Sequence, residues 1–418
     1  MNNTKVLDKA EGALFGSALG DSIGIYTEFM TAEEAAEAYG SPSPDFTLVP
    51  PETPFHNDSH RCRFESRAWT DDTDHALLIM LSYLRLRQLS PTDFAVRLHS
   101  WCSQGLRVLD RLPMGLGKTV GGVVATPSFT TKPMETAYYY WDENCQRLAA
   151  ANGSLMRTAP VGVICIPKTE EQTFKTAIIM GYVTHADPRC ALSVAIVAGL
   201  IRALCLDEIS DVTQMRDLIE RAWAYVQRTL PEDQLALLER DEFEKHAYAE
   251  DLDSLVLCDR SMGYVYKCLG SSLWCLRRVL THQNTFRSAM TMLVMCGGDA
   301  DTNGAVAGAL MGALCGYEDL PKEWRDGMRH AEWYREKGKA LCVVAGISNE
   351  GVYESESDRD TLIDGGKGML TEEEMKKREM GIMERMLLAE KERREAAEAK
   401  RGKEKKRASG WKSWLPDS

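Results

Sequence analysis

Two acidic clusters, about 230 residues apart, carry the side chains best suited to chemistry. The first, WTDDTD, runs from Trp69 to Asp74, and the second, GGDADTN, runs from Gly297 to Asn303. Each alone is explained by helix capping, since Thr, Asp and Asn favour the first turn. Together they hold more carboxylates than two caps need, and neighbouring carboxylates repel one another unless a cation compensates. Donor sets of oxygen alone favour Mg²⁺, Mn²⁺ or Ca²⁺ over zinc. The pair therefore predicts a site for two divalent ions that orients substrate oxygens and activates a water molecule.

Three further polar segments interrupt apolar stretches. Glu28 follows the first glycine-rich stretch, and residues 152–157 contain a glycine turn whose N–H groups suit a phosphate. His185 and Asp187 precede another apolar run. Asp187 is typical of a helix cap, and His185 is explained equally well as a buried, hydrogen-bonded histidine. These motifs are weak when taken singly.

Residues 115–119, GLGKT, imitate the end of a phosphate-binding P-loop. The P-loop pattern requires a glycine five residues before Gly117, where this chain has Leu112. No parallel-strand pattern surrounds the segment. We therefore reject a P-loop nucleotide triphosphatase.

The elements that position these residues are predicted to be helices. Apolar residues recur at helical spacing in several long stretches, and alternating strand patterns are few. We expect an all-α bundle. Two of its helices carry glycine at every fourth position, over residues 12–24 and 304–316. Because glycine destabilises a helix interior, this spacing favours close backbone packing, or contact with a ligand.

Composition excludes several classes of protein. The 418 residues have a net charge of −12, which disfavours general binding to nucleic acid or anionic membranes. The N-terminal twenty residues lack the continuous apolar core of a signal peptide, and residues 304–317 are too short to span a membrane. The 12 cysteines contain no CxxC pair and are expected to be reduced. We expect an intracellular protein that does not engage a membrane.

The chain is predicted to contain one catalytic domain and a tail. The domain covers residues 1–348, with an acidic, solvated insertion near 230–253. The tail, 349–418, is charged and helix-prone, and within it residues 371–418 hold 14 Lys and Arg against 11 Asp and Glu. The rest of the chain therefore carries −15. A basic run at 400–407 is a possible nuclear-import or polyanion-binding patch, so we expect a cytoplasmic or nuclear location.

Read in order, the motifs resemble the ADP-ribosylglycohydrolase family, which includes the dinitrogenase reductase-activating glycohydrolases. The resemblance covers about residues 10–345 and is carried by GALFGSALGDSIG (12–24), WTDDTDHALL (69–78), NGSLMRTAPVG (152–162), THADPRCA (184–191), GYVYKCLGSSLW (263–274) and CGGDADTNGAVAGALMGALCG (296–316).

The resemblance implies an all-α orthogonal bundle around a binuclear Mg²⁺ site, with Mn²⁺ as a substitute. It implies a hydrolase that cleaves the glycosidic bond at C1″ of ADP-ribose. By motif position, Thr70, Asp71 and Asp72 would bind one ion, Asp299 and Thr302 the other, and Asp301 would bridge them. Glu28 would lie on a mobile loop over the metals or act as an acid or base, alongside Asp71, Asp72 and Asp301 as catalytic residues. The residues implied to bind substrate are Gly115, Gly117, Asn152, Gly153, Ser154, Met156 and His185.

The substrate is expected to be an ADP-ribosylated protein or a small ADP-ribose conjugate. Arginine-specific relatives commonly carry Asp-x-Gly where this chain has Gly115-Leu116-Gly117. That difference favours an O-linked substrate: serine-linked ADP-ribose, O-acetyl-ADP-ribose or ADP-ribose 1″-phosphate. The alternative is a relative that only binds ADP-ribose or has become structural. We expect a monomer, with nucleic-acid binding only through the tail.

Overall fold

The computed structural model describes residues 3–40, 44–349 and 351–412, except for the side chains of 3, 396, 397 and 399–412. Within these residues the regular structure is helical, with two isolated β-bridges and no strand, which confirms the all-α prediction. The α-helices of the described residues are α1 Asn3–Gly24, α2 Ala32–Tyr39, α3 Asp71–Leu86, α4 Pro91–Gln104, α5 Lys118–Val124, α6 Pro133–Tyr139, α7 Ala159–Ile164, α8 Glu170–Gly181, α9 Pro188–Cys205, α10 Val212–Thr229, α11 Glu232–Leu235, α12 Arg240–Ala247, α13 Val265–Leu280, α14 Phe286–Val294, α15 Ala300–Cys315, α16 Lys322–Arg325, α17 Ala331–Val344 and α18 Glu372–Lys412.

The two glycine-rich helices, α1 and α15, pack directly against each other along their length. A Cβ atom on Gly20 would lie 1.8 Å from the carbonyl oxygen of Gly304, and one on Gly16 would lie 2.3 Å from that of Gly308. Backbones this close leave no room for a side chain, which is why glycine recurs there despite its low helix propensity. The packing interpretation of the spacing is confirmed. It also brings the C-terminal end of α1 beside the start of α15, where a Cβ on Gly24 would meet Asp301.

The core lies around α1, α15 and α9, and α9 is apolar on almost every face. Its side chains are buried apart from Arg189 and Arg202, as expected for a helix surrounded by others. This helix is the one in the described residues that is long and apolar enough to cross a membrane, and 89% of it is buried inside the protein. A helix buried in a protein core can have the same apolar composition as a helix that crosses a membrane.

The chain consists of two compact units. The larger contains residues 1–53 and 67–369, and the smaller contains 54–66 and 370–418. The larger unit continues past the boundary expected at 348, because residues 351–369 fold onto it: Lys337 of α17 pairs with Asp358 at 2.6 Å. In the smaller unit, α18 packs on a 3₁₀ turn at Arg61–Arg63.

The insertion near 230–253 is only partly the solvated surface that we expected. It is helical, and its charged residues are mostly exposed, but Phe243 is fully buried. Phe243 packs against Trp223 at 5.0 Å and Tyr266 at 5.5 Å between ring centroids. One apolar residue per helical turn is enough to anchor α12 in the core. The charged residues around it made the segment look solvent-exposed in the sequence. The charged side chains of the basic run 400–407 lie outside the described residues.

Candidate functional site

A cavity of about 430 Å³ in the larger unit, called here the central cavity, collects most of the predicted site residues. It is lined by the first turns of α3, α5 and α15, by the turn after α1, and by the segments around 115, 152, 185 and 262. Its lining residues are Glu28, Phe29, Asp71, Asp72, Gly115, Gly117, Lys118, Thr119, Val120, Ala151, Asn152, Gly153, Met156, His185, Met262, Gly263, Asp299, Asp301 and Thr302.

A larger cavity, of about 620 Å³, lies elsewhere around Tyr317 and Trp333. Its two arginines, Arg325 and Arg335, are both paired with Glu318. It holds neither acidic cluster, so we place the chemistry in the central cavity.

The start of α3 is fixed by a buried aspartate on α1. Asp21 accepts hydrogen bonds from the backbone N–H of Thr70 at 2.9 Å and of Thr73 at 3.0 Å, and from the Thr73 hydroxyl at 2.6 Å. Thr70 caps the helix by accepting from the N–H of Asp72. Asp71 and Asp72 then point into the cavity from the first helical turn. Asp74 faces elsewhere and accepts from the indoles of two tryptophans, Trp69 and Trp101.

The start of α15 depends on the two glycines that precede it. Gly297 and Gly298 have positive φ values of 70° and 66°, and a Cβ on either would lie about 2 Å from a carbonyl oxygen. Gly298 exchanges backbone hydrogen bonds with the turn after α1, since its N–H reaches Met30 O and its carbonyl accepts from Phe29. The Gly-Gly pair therefore ties Asp299 and Asp301 to the segment that carries Glu28.

The two clusters meet. The hydroxyl of Thr70 lies 3.2 Å from Asp72 Oδ2 and 3.3 Å from Asp301 Oδ2, so one carboxylate from each cluster shares the same proton donor. Carboxylate oxygens of Glu28, Asp299 and Asp301 all lie within 4.8 Å of one another. The predicted set of Thr70, Asp71, Asp72, Asp299, Asp301 and Thr302 is brought together, and Glu28 joins it.

These carboxyl groups are held in an unfavourable environment for negative charge. Burial, followed by the charges of Asp72 and Asp21, holds the pKa of Asp71 well above its usual range. Burial does the same to Asp72 and Asp301, with neighbouring acids adding to it, and it raises the pKa of Asp299 to about 6.

The described residues supply no compensating cation for these acids. Among the described residues no lysine or arginine forms an ion pair with Asp71, Asp72, Asp299 or Asp301, and Asp72 Oδ1 has no hydrogen-bond partner. Several oxygens converging without His or Cys suit a hard divalent cation. The residues present therefore fit the predicted metal.

Gly115 borders the acidic cluster and has a steric reason to be glycine. Its φ is +96°, and a Cβ there would lie 2.0 Å from Asp71 Oδ1. Gly117 caps α5 at an ordinary φ of −68°, with open space around it. Both line the cavity as predicted, but the close approach to a carboxylate is made by Gly115.

The residues predicted to bind substrate lie mostly on one further part of the cavity. Asn152 donates from its side-chain amide to Asp299 Oδ2 at 2.6 Å, which joins that part to the acidic cluster. Gly153, Met156 and His185 line the cavity beside it. Ser154 does not: it is buried, and its hydroxyl has no partner among the described residues. In the 3₁₀ turn Asn152–Ser154, successive residues point in different directions, which the sequence did not reveal.

Several lining residues were missed by sequence reasoning. Lys118 and Thr119 belong to the rejected P-loop imitation, where they follow Gly117 directly. Phe29 follows Glu28 with a positive φ of 61° and is half-exposed, which its type and neighbours did not indicate. Proximity to a predicted residue was the available signal for all three.

Comparison with known proteins identifies the family of this chain. The family model described as ADP-ribosylglycohydrolase matches residues 2–354. The chain belongs to the ADP-ribosylglycohydrolase family. It is accordingly a hydrolase of the glycosidase type that acts on ADP-ribosyl linkages, with an ADP-ribose conjugate as its partner.

Named relatives are similar at low identity across most of the chain. One is the ADP-ribosylarginine hydrolase Tri1 of Serratia proteamaculans (strain 568), 26% identical over 342 residues, covering 81% of this chain and 80% of the relative. Another is the ADP-ribosyl-[dinitrogen reductase] glycohydrolase of Rhodospirillum rubrum, 25% identical and covering 83% of this chain and 100% of the relative.

A solved structure shares the fold. It is titled ADP-ribosylglycohydrolase-related protein complex, and it superposes with a TM-score of 0.52 at 21% identity, covering 82% of this chain and 99% of that one. The orthogonal all-α bundle expected from the motifs is thus confirmed.

Proposed function

We propose that this protein is a Mg²⁺-dependent hydrolase that cleaves the C1″ bond of an ADP-ribose conjugate and releases ADP-ribose. The observation that supports it is the convergence of Asp299, which is partly exposed, with the buried Asp71, Asp72 and Asp301. All four have raised pKa values and no cationic partner among the described residues. Thr70, Asp71 and Asp72 would hold one ion and Asp299 and Thr302 a second, with Asp301 between them. Bound Mg²⁺, or Mn²⁺ in its place, orients substrate oxygens and lowers the pKa of a bound water molecule.

The chain's own groups supply the remaining chemistry. Hydrolysis joins a water oxygen to C1″ as the bond to the acceptor breaks, and the acceptor leaves with a proton. Glu28 lies beside Asp299 and Asp301 on the cavity wall, where it would accept the proton of the attacking water or return one to the acceptor. Asn152, which donates to Asp299, would orient that carboxylate.

We propose an O-linked acceptor for the bond that is cleaved. The segment 115–117 lines the cavity without a carboxylate, and exposed Lys118 at its end would repel a guanidinium group. Arginine-linked ADP-ribose is the second candidate, supported by relatives named ADP-ribosylarginine hydrolase.

A substrate panel separates these candidates. Serine-linked, O-acetyl, 1″-phosphate and arginine-linked ADP-ribose would be offered to the protein in Mg²⁺, in Mn²⁺ and in EDTA, with released ADP-ribose measured. We expect turnover of an O-linked substrate that EDTA abolishes and Mg²⁺ restores. Turnover of the arginine linkage alone would reverse the acceptor assignment. ADP-ribose binding without turnover on any linkage would identify a non-catalytic relative.

The tail supports a separate proposal on location. We propose that the basic run 400–407 directs the protein to the nucleus from the cytoplasm, because it concentrates positive charge in an otherwise acidic chain. A fluorescent fusion with Lys403, Lys405, Lys406 and Arg407 changed to Ala would move to the cytoplasm. Unchanged nuclear signal would remove the proposal.

A further inference from the structure

A buried arginine lies behind the wall of the central cavity. Arg157 is 1% exposed, and its guanidinium lies 4.9 Å from the centroid of the Phe94 ring. It donates to Gly153 O at 3.0 Å and to Thr184 Oγ1 at 2.7 Å, both neutral oxygens, and its Nε has no partner. Among the described residues no carboxylate forms an ion pair with it. A buried charge with only neutral partners is unfavourable, so a compensating anion is expected nearby.

Both acceptors of Arg157 are joined directly to the cavity wall. Gly153 lines the cavity, and Thr184 precedes His185, which also lines it. Gly153 and His185 lie next to each other, since a Cβ on Gly153 would lie 3.1 Å from His185 Nε2. The charge of Arg157 thus acts on this part of the cavity without being exposed in it.

The same contacts fix the proton on His185. A guanidinium always donates, so Thr184 Oγ1 accepts from Arg157 and keeps its own proton for another acceptor. Among the described contacts the acceptor is His185 Nδ1, at 2.7 Å. With Nδ1 accepting, the neutral ring carries its proton on Nε2, the buried nitrogen that has no partner. Burial and the charge of Arg157 lower the pKa of His185 to about 3, so the ring stays neutral.

We propose that Arg157 and Thr184 are positioning residues that hold His185 as an Nε2–H donor toward a phosphate-bearing part of the substrate. This inference rests on the proposed function and extends it. The acidic cluster binds cations, whereas the wall formed by Gly153 and His185, backed by Arg157, takes the anion. No bond is made or broken at this wall, so its contribution is to binding.

A purely structural role for Arg157, holding the turn through its hydrogen bond to Gly153 O, predicts different results. Loss of that hydrogen bond would lower the stability of the protein and its turnover together. The positioning role predicts a larger KM and weaker ADP-ribose binding with little change in kcat.

The test uses Thr184→Val, which removes the hydroxyl at nearly constant volume. We expect KM and the dissociation constant for ADP-ribose, measured by calorimetry in Mg²⁺, to rise roughly tenfold, the value of one hydrogen bond. Thr184→Ser, which keeps the hydroxyl, should restore both. Thr173→Val is the matched control, because Thr173 is also buried and its hydroxyl donates to the backbone oxygen of Thr169, the cap of α8. A fall in kcat with KM unchanged would overturn the proposal.

A second readout needs neither substrate nor turnover. Nitrogen-15 spectra of histidine-labelled protein report which ring nitrogen carries the proton, and His185→Gln identifies the signal among the eight histidines. We expect a protonated Nε2 in the parent protein and exchange between forms in Thr184→Val. A proton on Nδ1 in the parent would overturn the inference even if hydrolysis is found. The expected proton on Nε2 without any hydrolysis would leave it standing and reject the proposed function alone.

Discussion

Among the described residues, the acids of the central cavity, Asp71, Asp72, Asp299 and Asp301, have no basic partner, and all but Asp299 are buried. Arg157, behind His185, is by contrast a buried base for which the described residues provide no acidic partner. Each region leaves a charge that the described chain does not balance. Yet Asn152 and Gly153 are neighbours in sequence, one bonded to Asp299 and the other to Arg157. An ion pair between Arg157 and one of these aspartates would balance both charges but would place protein side chains in the cavity. Under the proposed function, each region would be completed by a different part of a bound complex, a cation in one and an anion in the other.

The largest expected effect comes from removing charge in the acidic region. Asp301→Asn should lower kcat roughly 10³-fold, the scale of losing an electrostatic contact to the reacting centre. It should also raise the melting temperature of the metal-free protein at pH 8, because it removes a buried negative charge. Kinetics and calorimetry check the two changes. Full turnover by this variant would contradict the proposed role of the cluster.

Dependence of stability on pH sharpens the same contrast. Burial raises the pKa of Asp21 from 3.8 to about 6, so the folded protein binds more protons than the unfolded protein between those values. The free energy of unfolding of the metal-free protein should therefore fall as the pH rises through about 4 to 6, by on the order of 3 kcal/mol for this group.

Melting curves in EDTA across about pH 4–8 test this, and Mg²⁺ should raise the melting temperature more at pH 8 than at pH 5. If the metal-free protein gained stability as the pH rises over this range, the pKa values of these acids would not be raised in the folded protein.

Gly115→Ala crowds the acidic region without altering its charge. The new methyl group would lie 2.0 Å from Asp71 Oδ1 at a φ of +96°. We expect Mg²⁺ affinity, measured by calorimetry, to fall about 10- to 100-fold, as for other residues that support a metal ligand. Gly121→Ala is the control, since a methyl group there makes only an ordinary contact, 3.5 Å from Leu116. Equal Mg²⁺ affinity in both variants would exclude crowding of Asp71.

The smallest expected effect is at the cavity rim. Lys118 is exposed, so its attraction for an anionic substrate is screened by water and salt. Lys118→Met should reduce kcat/KM by less than about fivefold at low salt, and the difference should vanish near 1 M salt. Lys132→Met, at an exposed lysine paired with Glu135, serves as the comparison. A loss that persists in high salt would indicate a direct contact instead.

Local features of this molecule were predictable from the sequence. The glycine spacing predicted backbone contact, and Gly20 and Gly304 make it. The acidic clusters were expected at helix starts, and α3 and α15 begin there. The oxygen-only composition predicted a hard divalent cation, and the kind of ion stays a prediction.

Long-range convergence was not predictable from the residues alone. Nothing local in the sequence states that Thr70 lies between Asp72 and Asp301, and only the family resemblance implied it. The burial of Arg157 was missed because arginine is usually exposed. Ser154 was misplaced because its orientation depends on the turn that contains it. These features follow from packing among segments distant in the chain.

The contact between α1 and α15 also governs when the protein becomes functional during its synthesis. Gly20 leaves the ribosome long before Gly304, so α1 has no α15 to pack against until residues 25–315 have also been translated. This interface between segments distant in the chain therefore closes late. A nascent chain that stops before residue 300 lacks Asp301 and leaves the glycine face of α1 uncovered. Such fragments would be inactive and prone to associate, so hydrolytic capacity would arise only after α15 has been translated.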